Sequence, residues 1–315
     1  MPTIATLTMN PTIDVGYEVD RVEPTHKLRS HADHYDPGGG GINVARVFQR
    51  LGGHAECHYL CGGATGLALD ALIDGLRLER RPMRIAGSTR IACNVFERST
   101  GKEYRFVPEG PHVEEGEWRA GLAQFTASHC DYIVASGSLP PGVPADFYAS
   151  VAAAAGRDGT PFVLDSSGEA LRSGLSGAPV YLIKPSQGEL AQLVGRELAA
   201  VSEVEQAAMD IVRSGKAEMV AVTMGSQGGV LATQAGTTFL PAIAVEAKSA
   251  VGAGDSFLAA MVFALATGRD PLEAFRYGMA AGSAAVLTPG TDLAQLADIE
   301  RLYAAEIAQE RGGAA

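Results

Sequence analysis

The residues with the clearest chemical potential lie in the stretch SAVGAGDSFL, at positions 249–258. Small residues lead into a predicted helix here, so that Gly252, Ala253 and Gly254 present backbone N–H groups at a helix N-terminus, where anions bind readily. Asp255 lies in the same first turn. A carboxylate at this position either complements the helix dipole or acts as a base beside a bound anion. The glycines on both sides of Ala253 favour the base, because a plain helix cap does not need such close approach.

A second stretch, HYDPGGGGINVARVFQRLGG at 34–53, places four consecutive glycines directly before a predicted helix. Such a run is entropically costly to order. It does not match the dinucleotide fingerprint GxGxxG, because Asn43 and Val44 stand where a glycine is needed. The phosphate-binding pattern GxxxxGK[ST] is missing from the sequence. Two interpretations remain, a flexible turn or a backbone surface against which a ligand lies.

Composition excludes several classes of protein. The chain has 315 residues, of which 46% are hydrophobic and 19% charged, with a net charge of −11. This is an ordinary globular composition without the basic stripe of a nucleic-acid binder. The start MPTIATLTMN has no basic segment of a signal peptide, and the longest apolar run, FLAAMVFALATG, is too short to span a bilayer. We therefore expect a cytoplasmic protein with no nucleic-acid or membrane partner.

Two other groups of residues are weak candidates for a site. The four cysteines, at positions 57, 61, 93 and 130, are too few for a disulfide framework, and we expect core thiols in a reducing compartment. The segment HADHYD at 31–36 suggests a metal site. On a strand, however, alternate residues face opposite sides of the sheet, which separates His31 from His34 and argues against a shared metal.

Short apolar strands alternate with helices along most of the chain. Helices are predicted at 42–52 and 66–77, and residues 257–265 carry an apolar helical face. Strands are predicted at 4–9, 55–62, 131–137, 161–167, 180–186 and 218–225. Each of the last four strands is expected to be followed by a turn and then a helix. This alternation predicts a mostly parallel sheet with helices on both faces.

Two polar, β-leaning stretches interrupt the alternation, at 14–36 and 81–107, and the second contains a predicted hairpin with its turn at 99–102. We assign residues 14–36 and 81–110 to a small β lid. The α/β core then comprises residues 1–13, 37–80 and 111–315. A small sheet needs something to cover one of its faces, and the candidates are the ligand of the core or another subunit.

The two glycine-containing stretches together resemble the two signatures of the ribokinase-like carbohydrate kinases, in the phosphofructokinase B group. Further segments match that group in the same order, from about residue 4 to residue 303: TLTMNPTID, ASGSLPPGVP, VLDSSGEAL, LIKPSQGEL and GMAAGSAAVLTPGT. The glycine run is similar to that of the minor-type 6-phosphofructokinases, since relatives acting on fructose 1-phosphate or tagatose 6-phosphate usually read GGKG. The resemblance implies a ribokinase-like three-layer fold with a β lid. It also implies ATP-dependent phosphorylation of the 1-hydroxyl of D-fructose 6-phosphate.

The resemblance assigns roles around the phosphorylated ketohexose. Asp255 is the candidate base, and the N–H groups of residues 252–254 would stabilise the transferred phosphoryl group. The residues implied to bind the sugar phosphate are Thr12, Asp14, Lys27, Arg29, Gly38, Gly39, Asn43, Arg90 and Ser138.

These sugar-site roles differ in how far the residues alone support them. Asp14 would bind sugar hydroxyls, although without the family a turn residue is an equal interpretation. Arg90 and Ser138 would meet the 6-phosphate, for which the planar fork of arginine is suited. Lys27 and Arg29 would close over the phosphates, and the alternative for Arg29 is a solvated surface charge. Gly38 and Gly39 would let the sugar lie against the backbone, with Asn43 bonding its hydroxyls.

For ATP and cations, the resemblance implies a second set of residues. The nucleotide site would comprise Lys184, Ser186, Thr223, Gly225, Gly228 and Gly282. Glu189 would hold Mg²⁺ through water. Ser249, Val251 and Gly290 match positions at which many relatives bind K⁺.

Two departures from the family pattern stand out. Ser186 replaces the asparagine of the NxxE motif, and Ala250 stands where relatives usually carry threonine. Neither touches Asp255, so a working enzyme is expected. The two departures are also the support for an alternative, a sugar-phosphate-binding regulator without catalysis. The rival enzymatic activities are tagatose-6-phosphate kinase and 1-phosphofructokinase.

The lid also suggests an assembly, because relatives pair lid on lid into a two-fold dimer. Apolar residues alternate along its strands at Val15, Tyr17, Val19, Ile91, Val95 and Phe106. Exposure of several of these would create an interface. We therefore expect a homodimer in which Lys27 and Arg29 serve the neighbouring subunit's site.

Overall fold

The computed structural model describes residues 1–288 and 292–313. The strands in chain order are β1 (Thr3–Thr8), β2 (Thr12–Val19), β3 (Ala32–Gly38), β4 (His54–Cys61), β5 (Glu79–Arg84), β6 (Arg90–Glu97), β7 (Lys102–Phe106), β8 (Tyr132–Ser136), β9 (Phe162–Asp165), β10 (Val180–Ile183), β11 (Ala217–Thr223), β12 (Gly228–Thr233) and β13 (Gly236–Pro241). The helices are α1 (Gly40–Arg50), α2 (Gly63–Gly75), α3 (Glu115–Phe125), α4 (Phe147–Asp158), α5 (Gly168–Gly174), α6 (Gln187–Val194), α7 (Val201–Arg213), α8 (Ala253–Ala266), α9 (Pro271–Ala285) and α10 (Leu296–Gly313).

A nine-stranded sheet forms the centre of the molecule, in the order β13-β12-β11-β10-β9-β8-β1-β4-β5. Seven neighbouring strands run parallel: β11, β10, β9, β8, β1, β4 and β5. The remaining two, β12 and β13, are antiparallel at one edge. One hydrophobic cluster packs α1, α8 and α9 on one face, and a second packs α4 and α7 on the other. The prediction of a mostly parallel sheet between two helical layers is therefore confirmed.

The prediction that a helix follows the strand at 218–225 is wrong. The chain turns through a short 3₁₀ helix, Gly225–Gln227, and returns along β12 and β13. A left-handed backbone at Gly228 (φ 121°) allows this reversal, and a Cβ there would lie 2.1 Å from the carbonyl oxygen of Leu240. The segment 228–241 carries the turn residues and β-branched residues of a hairpin, which the earlier assignment did not use.

A separate four-stranded sheet, in the order β3-β2-β6-β7, lies apart from the large one, and we call it the small sheet. Its β6–β7 pair is the predicted hairpin, with the turn at residues 98–101. Residues 81–84 were assigned to the lid, and this assignment is wrong. They belong to β5, which pairs with β4 at the edge of the large sheet. An edge strand has only one neighbour, so its alternating polar pattern resembles that of a half-exposed lid strand.

The register of the small sheet places its apolar residues on one face. Val15 pairs with Cys93, which pairs with Phe106, and Tyr17 pairs with Val95. Because side chains alternate along a strand, the six residues named for the lid share this face, which we call the apolar face of the small sheet. Val15 and Val19 are buried, whereas Ile91 is 44% and Phe106 61% exposed. The opposite face carries Asp14 and Arg90.

Across the described ranges 1–288 and 292–313, no helix is both long and apolar enough to cross a membrane.

Candidate active site

The candidate site lies where the connections of the large sheet change direction. The chain proceeds from β1 to β4 on one side and from β8 to β11 on the other, so the crossover directions diverge between β1 and β8. Ligands of α/β sheets bind at such a point, outside the carboxyl ends of the strands. Ser136 ends β8, Asp165 ends β9 and Lys184 follows β10 at this edge.

The four glycines allow α1 to begin against the carboxyl ends of β1 and β8. A Cβ at Gly40 would lie 2.0 Å from Ser136 Oγ, and one at Gly41 would lie 2.6 Å from the carbonyl oxygen of Leu7. At Gly38 it would meet Asp14 Oδ2 at 2.1 Å. Gly39 has φ 115°, a conformation that other residues rarely adopt. The close neighbours of this backbone are therefore the protein's own atoms, and a ligand is not needed to explain the glycines.

Helix α8 presents the predicted anion-binding turn. Gly252 is its N-cap in the left-handed region, with φ 74°, and a Cβ there would lie 2.4 Å from Leu293 Cδ2. The following N–H groups have no partner within the helix. Gly282 of α9 packs against this turn, since its Cβ would lie 3.5 Å from the carbonyl oxygen of Ala253. The helix is firmly seated, because Phe257, Leu258, Met261 and Val262 are all buried.

Asp255 stands in the first turn of α8 and accepts a hydrogen bond from Asn43 Nδ2 at 2.9 Å. Burial and the nearby Asp165 raise the pKa of Asp255 to about 6, against the lowering effects of Asn43 and Lys184. A carboxylate with this pKa is largely ionised at neutral pH and is more basic than an exposed aspartate. It is therefore suited to accept a proton. Asn43 was predicted to bond sugar hydroxyls, and the structure adds this contact with Asp255.

Lys184 lies beside the same turn. Its ammonium group is 3.2 Å from Asp165 Oδ1, and Asp165 Oδ2 accepts a hydrogen bond from Ser136 Oγ at 3.1 Å. A Cβ at Gly254 would lie 3.2 Å from Lys184 Nζ. Burial alone would lower the pKa of Lys184, but the carboxylates of Asp165 and Asp255 raise it above its usual value. A protonated lysine and a helix N-terminus therefore meet at one point, as binding of a polyanion requires.

Arg90 and Ser138 line one cavity of about 580 Å³. Asn10, which the sequence reasoning missed, joins them. Its Nδ2 donates to Ser138 Oγ at 3.3 Å, and the backbone carbonyl oxygen of Asn10 accepts from Arg90 Nη2 at 2.7 Å. Arg90 Nη1 donates to the carbonyl oxygen of Pro108 at 2.7 Å. Asn10 lies in the quoted segment TLTMNPTID, directly after β1, and this position was the available signal.

Asp14 and Thr12 lie on the same side of β2 but differ in availability. The Thr12 hydroxyl accepts from the backbone N–H of Ala92 at 3.0 Å and donates to the carbonyl oxygen of Ile13 at 3.2 Å. It therefore serves the small sheet, and its predicted role toward substrate gains no support. Burial raises the pKa of Asp14, and nearby Arg105 opposes this effect. Arg105, on β7, is a further cation of this face that the sequence reasoning missed.

Lys27 and Arg29 lie in the exposed segment between β2 and β3. Neither side chain makes a hydrogen bond or ion pair with residues 1–288 or 292–313. Within one chain the structure does not bring them to Asp255. Their proposed contact with phosphate groups stays a prediction, and it depends on a second subunit.

Ser186 and Glu189 form a reciprocal cap at the start of α6. Ser186 Oγ accepts from the N–H of Glu189 at 3.3 Å, and Glu189 Oε2 accepts from the N–H of Ser186 at 2.7 Å. SxxE is the capping-box pattern, a signal that the sequence reasoning did not use. Serine in place of asparagine is therefore a good cap here. Thr223 is paired with Ser186 across a parallel bridge, which places the turn at Gly225 and Gly228 next to α6.

The candidate cation positions are only partly described. Ser249 Oγ accepts from the N–H of Val251 at 3.3 Å, in the turn that precedes α8. Gly290, the third predicted K⁺ position, lies outside the described residues. Among the residues that are described, no group of three or more His, Cys, Asp or Glu side chains is arranged to hold a metal ion. Asp165 and Glu189 both raise the pKa of Lys184, so two carboxylates with hard oxygen donors lie near this lysine.

These features define an α/β protein with a glycine-rich helix N-terminus, a buried lysine and a basic carboxylate at the carboxyl edge of its sheet. The sequence profile of the pfkB family carbohydrate kinases matches residues 7–297. The chain belongs to this family of carbohydrate kinases.

Individual relatives share most of their length with this chain. ATP-dependent 6-phosphofructokinase isozyme 2 of Mycobacterium tuberculosis is 44% identical over 311 residues, which are 98% of this chain and 91% of the relative. The structure of phosphofructokinase-2 from Escherichia coli in complex with potassium superposes with a TM-score of 0.92 at 39% identity, covering 96% of this chain and 99% of that one. A 1-phosphofructokinase of Bacillus subtilis is more distant, at 32% identity over 89% of this chain and 91% of its own.

Proposed function

We propose that this chain transfers the γ-phosphoryl group of ATP to the 1-hydroxyl of D-fructose 6-phosphate, giving fructose 1,6-bisphosphate and ADP. The observation that carries the proposal is the meeting of Asp255, the N-terminal N–H groups of α8 and the Lys184 ammonium group at one edge of the sheet. The relatives named as 6-phosphofructokinases are also more similar to this chain than the 1-phosphofructokinase.

In this reaction Asp255 removes the proton of the 1-hydroxyl as its oxygen attacks the γ-phosphorus, and the bond to the β-phosphate oxygen of ADP breaks. The N–H groups of Gly252, Ala253 and Gly254 bind the oxygens on which negative charge is spread in the transition state. Lys184 neutralises charge on the nucleotide phosphates. Gly282 lets α9 approach this turn closely enough to support it.

The sugar lies between the small sheet and α1. Asp14 accepts hydrogen bonds from its hydroxyls, and Asn43 borders the reacting end. Arg90 and Ser138, held together by Asn10, face the cavity that takes the 6-phosphate.

ATP extends from Lys184 toward the turn at Thr223, Gly225 and Gly228. Mg²⁺ commonly binds one or two carboxylates, several waters and the phosphates of a nucleotide. Glu189 fits that role, because its Oε2 is engaged in the cap while its other oxygen is left for a water. When bound, Mg²⁺ neutralises phosphate charge. K⁺, present in the structure of the Escherichia coli relative, would bind near Ser249 and Val251.

The proposed assembly is a homodimer through the apolar face of the small sheet, with Lys27 and Arg29 serving the partner's site. Ile91 and Phe106 are exposed on this face, and such a patch favours an interface. The proposed compartment is the cytoplasm, because all four cysteines are free thiols and such thiols suit a reducing environment.

The proposal is tested by steady-state kinetics with MgATP and a panel of phosphorylated sugars: fructose 6-phosphate, fructose 1-phosphate and tagatose 6-phosphate. We expect the highest kcat/KM with fructose 6-phosphate, and the product should carry its new phosphate at position 1 by ³¹P NMR. A higher kcat/KM with either other sugar overturns the substrate assignment.

The regulator alternative makes a different forecast for the same samples. A regulator would bind a phosphorylated sugar, as detected by calorimetry, without sugar-dependent formation of ADP. Turnover by the native chain that is strongly reduced in Asp255→Asn supports the enzyme. Binding without turnover under all of these conditions supports the regulator.

A further inference from the structure

Arg46 is a buried cation that no motif of the sequence singled out. It follows Asn43 by one turn on α1, and its side chain is only 5% exposed. It lies among Val44, Ala45, Val47 and Phe48, which are fully buried. Arginine is rarely buried without a partner. The contacts of the guanidinium group therefore indicate the role of Arg46.

The guanidinium group has three acceptors. Nη1 donates to Asn43 Oδ1 at 3.3 Å and to the carbonyl oxygen of Pro37 at 3.5 Å. Nη2 forms an ion pair with Asp36 Oδ1 at 3.4 Å. Asp36 and Pro37 belong to β3 of the small sheet, so the guanidinium group is anchored from the strand that precedes the glycine run.

This arrangement fixes the orientation of the Asn43 amide. Arginine carries only donors, so the oxygen of the amide must face Arg46. The NH₂ group then points to Asp255 and donates at 2.9 Å to Oδ2. The reversed amide would set NH₂ against the guanidinium group and oxygen against the carboxylate, which are two unfavourable contacts.

The hydrogen bond that the oriented Asn43 amide donates to Asp255 has two consequences. It holds one carboxylate oxygen, which leaves Oδ1 for the proton of the substrate hydroxyl. It also favours the ionised form of Asp255, against burial and the charges around it. The groups acting on Asp255 are Asn43 from α1, Asp165 at the end of β9, Lys184 after β10 and Asp14 from β2.

We propose that Arg46 is a positioning residue for phosphoryl transfer, which orients the amide of Asn43 so that Asp255 keeps a fixed carboxylate with one oxygen free for the sugar hydroxyl. This inference rests on the proposed function, in which Asp255 is the base. A merely structural ion pair between Arg46 and Asp36 is the alternative, and it predicts loss of stability without a change in the titration of the reaction.

The test compares Arg46→Met and Arg46→Gln with the native enzyme in the full chain. We expect kcat to fall about 10–100-fold, with the KM for ATP little changed, because misplacement near the reacting atoms has costs of this size. The acid limb of kcat against pH should move upward by about 0.5–1 unit, since Asp255 loses an oriented donor. Arg46→Lys, which keeps a cation and donors, should restore part of kcat.

Arg276→Gln is the matched control. Arg276 is a poorly exposed arginine on α9 whose side chain pairs with Glu273 at 3.7 Å, and it is not among the groups that most influence the pKa of Asp255. Its replacement should lower the melting temperature and leave the acid limb in place. Activity is normalised to folded protein by circular dichroism, so that a fraction of unfolded Arg46→Met is not counted as slow enzyme. If Arg46→Met does not fold, Arg46→Gln and Arg46→Lys provide the comparison.

A double-mutant cycle separates this inference from the proposed function. In an Asp255→Asn background, Arg46→Gln should have little further effect on kcat, because both changes act through one group. Additive losses in kcat, or an unmoved acid limb in all three Arg46 variants, overturn the role of Arg46 while the kinase activity stands. Full activity of Asp255→Asn alone would instead refute the base and thus the proposed mechanism.

Discussion

At the scale of single residues, Asp255 combines basicity with a negative charge in a poorly solvated turn. Burial and Asp165 disfavour its ionised form, while Asn43 and Lys184 favour it. The helix N-terminus also stabilises a negative charge there. The balance leaves a carboxylate that is ionised at neutral pH and still basic, which is the compromise that general base catalysis requires.

Replacing Asp255 by asparagine keeps the size of the side chain and removes its basicity. We expect kcat to fall by about 10²–10⁴-fold. Binding of fructose 6-phosphate and ATP should be largely preserved, because the N–H groups and Lys184 remain. Steady-state kinetics and isothermal titration calorimetry check the two parts. A kcat within a few-fold of the native value would reduce Asp255 to a partner of the helix dipole.

The pKa of about 6 for Asp255 predicts the pH dependence of the reaction. The base must be ionised, so kcat/KM should be level above about pH 7 and fall toward tenfold per unit below pH 6. Phosphate groups titrate near pH 6 as well. The residual activity of Asp255→Asn is therefore the control. Its pH profile should keep the titration of the substrate phosphates and lack the titration of Asp255. An identical limb in both proteins would assign the titration to the substrates.

Ser186 tests whether the magnesium site follows the family pattern. Asparagine is also a good N-cap, so Ser186→Asn should leave α6 intact. We expect the Mg²⁺ concentration at half-maximal rate to fall, because the longer amide can bond a water that Glu189 shares. The check is a Mg²⁺ titration at saturating ATP and sugar. Ser186→Ala, which loses the cap at a cost of about 1 kcal/mol, controls for effects of helix stability. An unchanged titration would show that other groups organise the metal.

At the scale of elements, the start of α1 links the glycine run to Lys184 through a chain of contacts. Gly40 packs on Ser136, whose hydroxyl donates to Asp165, the ion-pair partner of Lys184. A larger residue at position 40 would displace Ser136 and with it this chain of contacts. The glycines therefore influence the site through packing of the protein on itself.

Gly40→Ala should destabilise the fold by about 1–3 kcal/mol through overpacking. It should also weaken ATP binding through Lys184. Gly156→Ala, within α4, is the matched control, since a Cβ there meets no atom within 4 Å. That change should be neutral or stabilise by up to about 1 kcal/mol, because alanine favours a helix. Urea unfolding of both variants measures the difference, and equal stabilities would contradict the packing argument.

At the scale of the whole molecule, the small sheet presents one face to the site and another to solvent. Asp14 and Arg90 lie on the face that we assign to the candidate site, and Ile91 and Phe106 are exposed on the opposite one. An apolar face that is partly exposed in this way favours an interface with another surface. Assembly and activity are therefore expected to be coupled.

Sedimentation velocity and activity should be measured together as the protein is diluted. We expect a dimer whose dissociation lowers specific activity, because Lys27 and Arg29 then no longer reach a partner's site. Phe106→Asp should shift the equilibrium to the monomer, whereas Leu296→Asp, at an exposed position on α10, should not. Full activity of a monomer at concentrations without detectable dimer would refute both the interface and the shared site.

The sequence by itself determined the class of fold and singled out the residues at the centre of the candidate site. Strand and helix periods, the glycines before α1 and the first turn of α8 are local patterns, and local sterics and helix dipoles translate them directly into structure. The sequence did not determine which segments form the two edges of the large sheet. β5 and the β12–β13 hairpin were misassigned because an edge strand is defined by its neighbour and its own pattern is ambiguous.

Only the tertiary structure decided how the site residues act on one another. Asn43 donates to Asp255 across 212 positions of the chain, and Arg46 fixes that contact from within a predicted core face. Asn10 joins Ser138 and Arg90 in the same manner. Such contacts depend on which strand ends and helix starts meet at one edge of the sheet. This meeting follows from the packing of the whole chain, so spacing along the sequence carries no record of it.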